Sequence, residues 1–294
     1  MTMTFKPRPP PSFQQLVVAG SVSGMSSVVV CHPLDTIRTR LQYSSSSSFA
    51  SVVCTTLRHE GLRGLYKGFF PPFFSQAVYK SVIFSAQGHV RSFMSAHMDH
   101  PSPLLLSTCA GAIAGGINAF LVAPVELVRN RLQIQQQHAK YKGTADVVRQ
   151  VIMHEGPLAL WKGLSCTITR DALGVACYFM AFDCVKSALP SEWDTTSRVL
   201  VAGATGGIAF WSIALPFDTI KTVIQVSTPS TSHQEQPLGM IRTGLQLVRQ
   251  HGIGRVFHGW QAAFSRGIPG AAITFWAYDT TMAYLQHNDD PSSV

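Results

Sequence analysis

Six long apolar stretches alternate with polar segments, at roughly residues 13–42, 69–91, 104–133, 164–187, 197–225 and 260–286. Each reaches the ~20 residues an α-helix needs to cross a hydrocarbon core, so the pattern predicts six membrane helices. The segments at 43–68, 134–163 and 226–259 are long and polar. Each contains an amphipathic piece that predicts a short helix. In Thr144–Met153 the expected apolar face is Ala145, Val148 and Ile152. Ser44–Ser48 and Ser227–Pro237 are low-complexity runs that read as solvated loops. The first twelve residues carry Lys6, Arg8 and four prolines. They read as a flexible tail, with no secretory signal pattern.

The alternation repeats. Pro33, Pro124 and Pro216 each open a P-x-[DE]-x-x-[KR] motif, spaced by 91 and 92 residues. Gly68, Gly163 and Gly259 each close an aromatic-[basic]-Gly turn, spaced by 95 and 96. Two motifs with one period indicate a triplication. The unit is too long for a solenoid repeat. It accommodates two membrane helices with a short helix between. The expected organisation is a tail at 1–12, repeats at 13–98, 99–192 and 193–287, and a second tail at 288–294. The fold class expected is an all-α membrane protein with six transmembrane helices in three tandem repeats of about 95 residues, plus three short helices.

Composition fits a membrane chain. Charged residues are 13% of the 294, hydrophobic residues are 46%, and the mean hydropathy is +0.16. A disordered or acidic solvated protein is excluded. The formal charge is +8. The three long connections and adjoining helix ends hold 15 of the 23 Lys and Arg residues, and the opposite side holds 5. The long connections should therefore face the negative compartment, with both termini on the other side. The excess charge belongs with an anionic lipid surface. It is spread over three equivalent loops, so no nucleic-acid partner is expected. The six cysteines form no C-x-x-C pair and no zinc spacing, so neither a metal nor another cofactor is expected.

The proline motifs carry the candidate chemistry. A proline inside a helix removes one backbone hydrogen bond and kinks it. Each kink is followed by an acid, a base and a glutamine: Asp35, Arg38 and Gln42; Glu126, Arg129 and Gln133; Asp218, Lys221 and Gln225. Acid and base three apart share a helix face. Unpaired charges at that depth are costly. The economical solution is a ring of Asp35–Arg129, Glu126–Lys221 and Asp218–Arg38, which would close one end of the bundle as a gate. A static staple is the plainer alternative. Gly20-x-x-x-Gly24, Gly111-x-x-x-Gly115 and Gly203-x-x-x-Gly207 allow close helix approach. Their presence in every repeat favours packing within the chain over dimerisation.

HPLDTIRTRLQ from His32, APVELVRNRLQ from Ala123 and LPFDTIKTVIQ from Leu215 make the chain resemble the mitochondrial carrier family over its whole length. Val223 replaces the usual second base of the third copy. The resemblance implies six tilted helices around a central cavity on a pseudo-threefold axis. It also implies the inner mitochondrial membrane, the short helices towards the matrix and the termini towards the intermembrane space. Transport would proceed by alternating access, as in repeat-built transporters generally. The family's second gate would involve Arg91, Asp183, Lys186 and Asp279. That set is incomplete, because Met282 stands where the third base belongs and Gly88 where the first acid does. Cyclic pairing leaves Asp279–Arg91 as its one expected bridge. The family's substrate contacts map to Ser75, Arg170 and Arg266, with Asp171 beside Arg170. Its cardiolipin sites map best to Trp161, Lys162 and Gly163 with Tyr141 and Gly143. Phe49–Ser51 and Pro237–Gly239 fit only in part.

The residue chemistry points the same way. Arg170 or Arg266 can fork onto a carboxylate, and Asp171 can face an ammonium group. Adjacent helical residues diverge by about 100°, so Arg170 and Asp171 are not expected to satisfy each other. Tyr178 lies eight residues after Arg170, and Trp211 seven before Asp218. Both are expected on cavity faces, where an aromatic suits a cationic headgroup. Packing at the kink is the equal alternative for Trp211. His32, just before the first kink, is a further candidate. The Arg-Asp pair resembles carriers of zwitterions, the carnitine and ornithine group. The expected function is exchange of carnitine- or amino-acid-like solutes by a monomeric carrier. A basic amino acid or S-adenosylmethionine carrier is the alternative, and a non-transporting scaffold the reading from another class. An enzyme is not expected, since His59-Glu60 and His154-Glu155 do not continue to H-E-x-x-H.

Overall fold

The computed structural model describes residues 12–44, 48–97, 103–135, 140–190, 192–227 and 239–288. The tails at 1–11 and 289–294, residues 45–47 of the serine run and the loop at 228–238 lie outside them. All regular structure among the described residues is helical. Repeat one supplies α1 (Phe13–Tyr43), α2 (Phe49–Leu65) and α3 (Phe70–His97). Repeat two supplies α4 (Pro103–Ile134), α5 (Thr144–Glu155) and α6 (Leu164–Ala188). Repeat three supplies α7 (Thr195–Val226), α8 (Met240–His251), α9 (Trp260–Ser265) and α10 (Gly267–Asn288). Two 3-10 turns, Pro157–Trp161 and Ile253–Phe257, follow α5 and α8.

Long helices neighbour one another in the order α10, α1, α3, α4, α6, α7. The short helices α2, α5 and α8 sit at one end, here termed the linker end, each against the first long helix of its own repeat, α1, α4 or α7. Three helices are long and apolar enough to cross a membrane: α1, Thr108–Ile134 within α4, and Val201–Val226 within α7. The other long helices, α3, α6 and α10, exceed the ~20 residues required. They do not reach the same apolarity among the described residues. Of the six membrane helices expected from the sequence, three thus meet both length and apolarity among the described residues. Polar residues such as Arg170, Asp171, Asp183 and Lys186 along α6 account for the difference.

Local chemistry explains the element ends. Ser12 and Gln15 form a reciprocal capping box at the start of α1. Pro33, Pro124 and Pro216 lie inside α1, α4 and α7 without ending them. Each proline strips the carbonyl four residues earlier of its donor. In two repeats a side chain from the linker end replaces it. Tyr66 Oη donates to the Val29 carbonyl at 3.2 Å, and Trp161 Nε1 donates to the Phe120 carbonyl at 2.9 Å. Phe257 occupies the matching position of repeat three and has no donor.

The motif glycines precede α3, α6 and α9. Gly163 and Gly259 adopt φ of +81° and +85°, a conformation that side-chain-bearing residues rarely accept. They also pack tightly. A Cβ on Gly163 would lie 3.2 Å from Lys221 Cγ, and one on Gly68 would lie 3.0 Å from the Arg129 carbonyl. A Cβ on Gly259 would lie 3.4 Å from the Arg38 carbonyl. Each repeat's turn thus presses on the acid-base motif of the next repeat.

Two sequence expectations are corrected here. The stretch at 260–286 is not one helix but breaks at Arg266 between α9 and α10. Pro269 has no N–H for the Ser265 carbonyl, which frees that turn. In α5 the buried face is Val147 and Val151, while Ala145 and Ile152 are exposed. Adjacent valine and isoleucine pairs leave the phase ambiguous by one residue. The cluster of Leu127, Val128, Leu132 and Tyr141 selects it.

Candidate functional site: a charged layer beneath a central cavity

The kinked segments bring their charges together near the linker end. Arg38 Nη2 lies 2.5 Å from Asp218 Oδ2, Lys221 pairs with Glu126, and Arg129 Nη2 lies 3.5 Å from Asp35 Oδ2. All three cyclic contacts drawn from the motif spacing therefore form, each joining two repeats. The glutamines behave differently from one another. Gln42 donates to Asp218 Oδ2 at 2.8 Å and accepts from Thr222 Oγ1 at 2.9 Å. Gln133 donates to Thr36 Oγ1, and Gln225 accepts from Asn130 Nδ2. Only Gln42 holds a carboxylate of the layer.

Above the layer lies a cavity of about 350 Å³. Four carboxylates, Asp35, Glu126, Asp171 and Asp218, share its lining with the five cations Arg38, Arg129, Arg170, Lys221 and Arg266. The lining thus favours one further negative charge. Arg170 and Arg266 reach down into the layer. Arg170 Nη1 lies 3.0 Å from Asp218 Oδ1 and 3.5 Å from Glu126 Oε1. Arg266 Nη1 lies 2.6 Å from Asp35 Oδ1. Two cations lie over Trp211, with Arg38 Cζ 4.2 Å and Arg266 Cζ 5.6 Å from its ring centroid. Its seven-residue offset from Asp218 returns to within about 20° of the same face.

Arg170 and Asp171 do satisfy each other in part: Nε donates to Oδ1 at 2.8 Å. The expectation that they would not is corrected. The long arginine stem folds back across the angle separating the two Cβ atoms, leaving Nη1 for the layer. Three other candidates lie away from the cavity lining. Ser75 donates to the Pro71 carbonyl at 2.8 Å, a carbonyl of its own helix, and Gln76 lines the cavity instead. Tyr178 packs between α6 and α7 against Gly206 and stacks on Phe182. Eight residues advance a helix by about 80° beyond full turns, which takes Tyr178 off the Arg170 face. His32 is fully buried, with Nε2 3.0 Å from the Lys67 carbonyl and its ring between Tyr66 and Phe69.

At the opposite end Arg91, Asp183, Lys186 and Asp279 form no ion pair among the described residues, and Arg91 and Asp279 are exposed. The expected Asp279–Arg91 bridge is absent from this conformation. The candidate lipid residues are engaged within the protein. Tyr141 is buried in the cluster against α5, Lys162 pairs with Glu155, and Trp161 serves the Phe120 carbonyl. Gly143 starts α5 without a side-chain cap, and Gly163 starts α6. The glycine stripes pack within the chain. A Cβ on Gly24 would meet Gln76 of α3 at 2.5 Å, and one on Gly111 would meet Val175 of α6 at 3.4 Å.

The sequence reading passed over a second tier of charges at the linker end. Arg40 pairs with Glu60 at 2.9 Å, and Lys67 closes on the same carboxylate at 2.5 Å. In repeat two Arg131 pairs with Glu155 at 2.5 Å, and Lys162 completes the set. Burial alone would raise both glutamates, but the flanking cations hold them below their ordinary value. The signal was present, since Arg40/Arg131, Glu60/Glu155 and Lys67/Lys162 occupy equivalent register positions.

The family model described as mitochondrial carrier protein matches residues 9–98, 100–193 and 192–289. A mitochondrial carnitine/acylcarnitine carrier-like protein of Arabidopsis thaliana is 30% identical, over 92% of this chain and 97% of its own length. The mitochondrial carnitine/acylcarnitine carrier protein of Mus musculus is 29% identical, over 96% of this chain and 98% of its own. Solute carrier family 25 member 45 of the same species is 31% identical, over 89% and 96%. With three consecutive matches spanning the same three motif copies that build the charged layer, the chain belongs to the mitochondrial carrier protein family.

Proposed function

We propose that this chain is a transporter of a small zwitterion, a carnitine-like or amino-acid-like solute, working by alternating access as a monomer in the inner mitochondrial membrane. In this reading six helices span the bilayer, with the termini towards the intermembrane space. The linker end faces the matrix and carries its gate, and Arg91, Asp183, Lys186 and Asp279 belong to the cytoplasmic-side gate. One observation carries the proposal. Arg170 and Arg266, the cavity arginines that lie outside the three proline motifs, are bound to the very carboxylates that close the linker end.

A substrate carboxylate that forks onto either arginine competes with Asp218 or Asp35 for it. Binding thereby weakens the closed layer, and the free energy of binding is spent on opening. A cationic group on the same solute is served by Asp171 and by the Trp211 face, from which Arg266 is displaced. The lining sets Asp171 beside Arg170, which suits a solute carrying both a carboxylate and a cationic group. The names of the Arabidopsis and mouse relatives support carnitine or acylcarnitine as the first solute to test. Cardiolipin at the uncapped starts of α5 and α6, beside Trp161, is proposed as a structural lipid.

The test is exchange in proteoliposomes. Labelled carnitine is offered against internal carnitine, acylcarnitine, ornithine, arginine, S-adenosylmethionine or ATP. Carnitine exchange that falls by about a hundredfold in Arg170→Ala, the loss expected for a charge-assisted anchor, supports the reading. Exchange with ornithine or arginine alone moves the solute to basic amino acids. Exchange with ATP alone overturns the zwitterion reading.

A further inference from the structure

The three repeats meet at three seams on the linker end. At the first, Arg40 of α1 donates Nε to the Gln133 carbonyl of α4 at 2.8 Å. At the second, Arg131 of α4 donates Nε to the Gln225 carbonyl of α7 at 2.9 Å. The repeat register places position 223 of α7 opposite the Gln42 carbonyl of α1, and position 223 is valine. That carbonyl nevertheless receives a guanidinium. Arg255 Nη2 donates to it at 2.6 Å and to the Tyr43 carbonyl at 3.2 Å. Arg255 comes from the 3-10 turn after α8, at the register position held by Gly64 and Ala159 in the other repeats.

We propose that Arg255 is a relocated strut of the third seam. It positions Gln42, and through Gln42 the Asp218–Arg38 pair, and its seam is the one that parts first when the linker end opens. The proposal rests on the gate reading above. The bonds at this seam explain both halves. Gln42 is the glutamine that holds a carboxylate of the layer, so whatever fixes its backbone fixes that pair. A cation on the last carbonyls of α1 also opposes the negative end of the helix dipole.

The strut is weaker than its counterparts for a specific reason. Arg40 and Arg131 are each held by a glutamate and a neighbouring lysine. In repeat three those positions are His251 and His258. Arg255 is only 5% exposed, and its Nε and Nη1 have no partner. No carboxylate among the described residues pairs with it. Leaving donors of a buried cation unsatisfied is costly. Opening the seam returns them to water, so the closed state gains less here than at the other two seams. Phe257 adds to the asymmetry, since it lacks the donor that Tyr66 and Trp161 provide to the kink carbonyls.

The experiment reads gate opening directly. In a chain whose six cysteines are alanine, Thr274→Cys places one thiol on the cavity wall. Proteoliposomes with the linker end outward are treated with a membrane-impermeant maleimide. Arg255→Ala is expected to raise the labelling rate by about tenfold, as for loss of a charge-assisted hydrogen bond. Arg255→Lys, which keeps one donor for the carbonyls, is expected in between. Val223→Arg with His251→Glu, added to Arg255→Ala, is expected to restore the slow rate by rebuilding the strut of the other seams. If Arg38→Ala speeds labelling and Arg255→Ala does not, the strut is overturned while the gate stands. If neither speeds it, the gate reading falls and this inference with it. Failure of Val223→Arg with His251→Glu to restore slow labelling overturns the equivalence of the struts.

Discussion

The two ends of the helix bundle treat their charges in opposite ways. At the linker end acids and bases from different repeats meet in a buried layer, and a second tier of Arg-Glu-Lys sets locks the short helices beneath it. At the end that carries the chain termini, Arg91, Asp183, Lys186 and Asp279 stand apart, and Lys186 rests over the Phe182 ring. Desolvated charges need partners, whereas charges left in water do not. The linker end is therefore the paired and buried end of this conformation, and the other end is unpaired and, in the gate reading proposed above, open. A set that lacks one acid and one base, with Gly88 and Met282 in their places, is tolerated there because none of its charges is buried.

The largest expected effect comes from breaking the closed end. Asp218→Arg alone or Arg38→Asp alone should lower exchange by about a hundredfold, because each leaves a buried charge opposite its own sign. The double variant should recover part of that loss. A double variant whose loss equals the two single losses added as free energies would show that the two residues act independently, and the layer would not be a gate. The coupling is read as a double-mutant cycle on initial rates.

A smaller effect is expected at the open end. Arg91→Asp and Asp279→Arg should each slow exchange by a few-fold, about 0.5–1 kcal/mol for a half-exposed pair, and the double variant should recover. Thermal stability in the present conformation should not change, since neither residue is paired in it. A rate unchanged in all three variants removes the proposed Asp279–Arg91 bridge.

The lower tier sharpens the contrast through pH. Glu60 and Glu155 are held below their ordinary value of 4.5 by Arg40 with Lys67 and by Arg131 with Lys162. A carboxylate with a depressed folded value contributes stability above its unfolded value and loses it as pH falls through the folded one. Melting in detergent should therefore be insensitive to these groups above that value and decline in more acidic buffer. Glu155→Gln should be less stable at neutral pH and show a shallower acid decline. An unchanged acid limb would mean that Glu155 is not held by its cations. The smallest effects belong to side chains facing away from the cavity. Ser75→Ala and Tyr178→Phe should each leave exchange within about twofold, as for removal of a hydroxyl outside a binding site. A substrate-specific loss in Ser75→Ala would place that hydroxyl on the solute in another conformation.

Much of this arrangement was legible from local rules. The three acid-base pairs followed from motif spacing, because helical periodicity sets which residues share a face and the cost of buried charge sets what they must meet. Trp211 was placed by the same arithmetic. Tyr178 was misplaced by it, and Ser75 came only from the family resemblance. Ser75 found an acceptor in its own backbone, and an eight-residue offset does not return to the same face. The Arg-Glu-Lys tier was visible as a repeat but not as a contact, since Glu60 lies 20 residues beyond Arg40 and Glu155 24 beyond Arg131, with a loop between.

The sequence by itself determined the triplication, the proline-bearing helices α1, α4 and α7 and the identity of the charges that form the layer, since each depends on near neighbours along one helix. Only the tertiary structure decided how the cavity arginines are used and who caps the third seam. Arg170 reaches Asp218 across 48 residues, and Arg255 reaches Gln42 across 213. No local pattern encodes such contacts. They arise because a buried carboxylate or carbonyl takes the nearest donor that packing brings to it, from whichever element that donor happens to come.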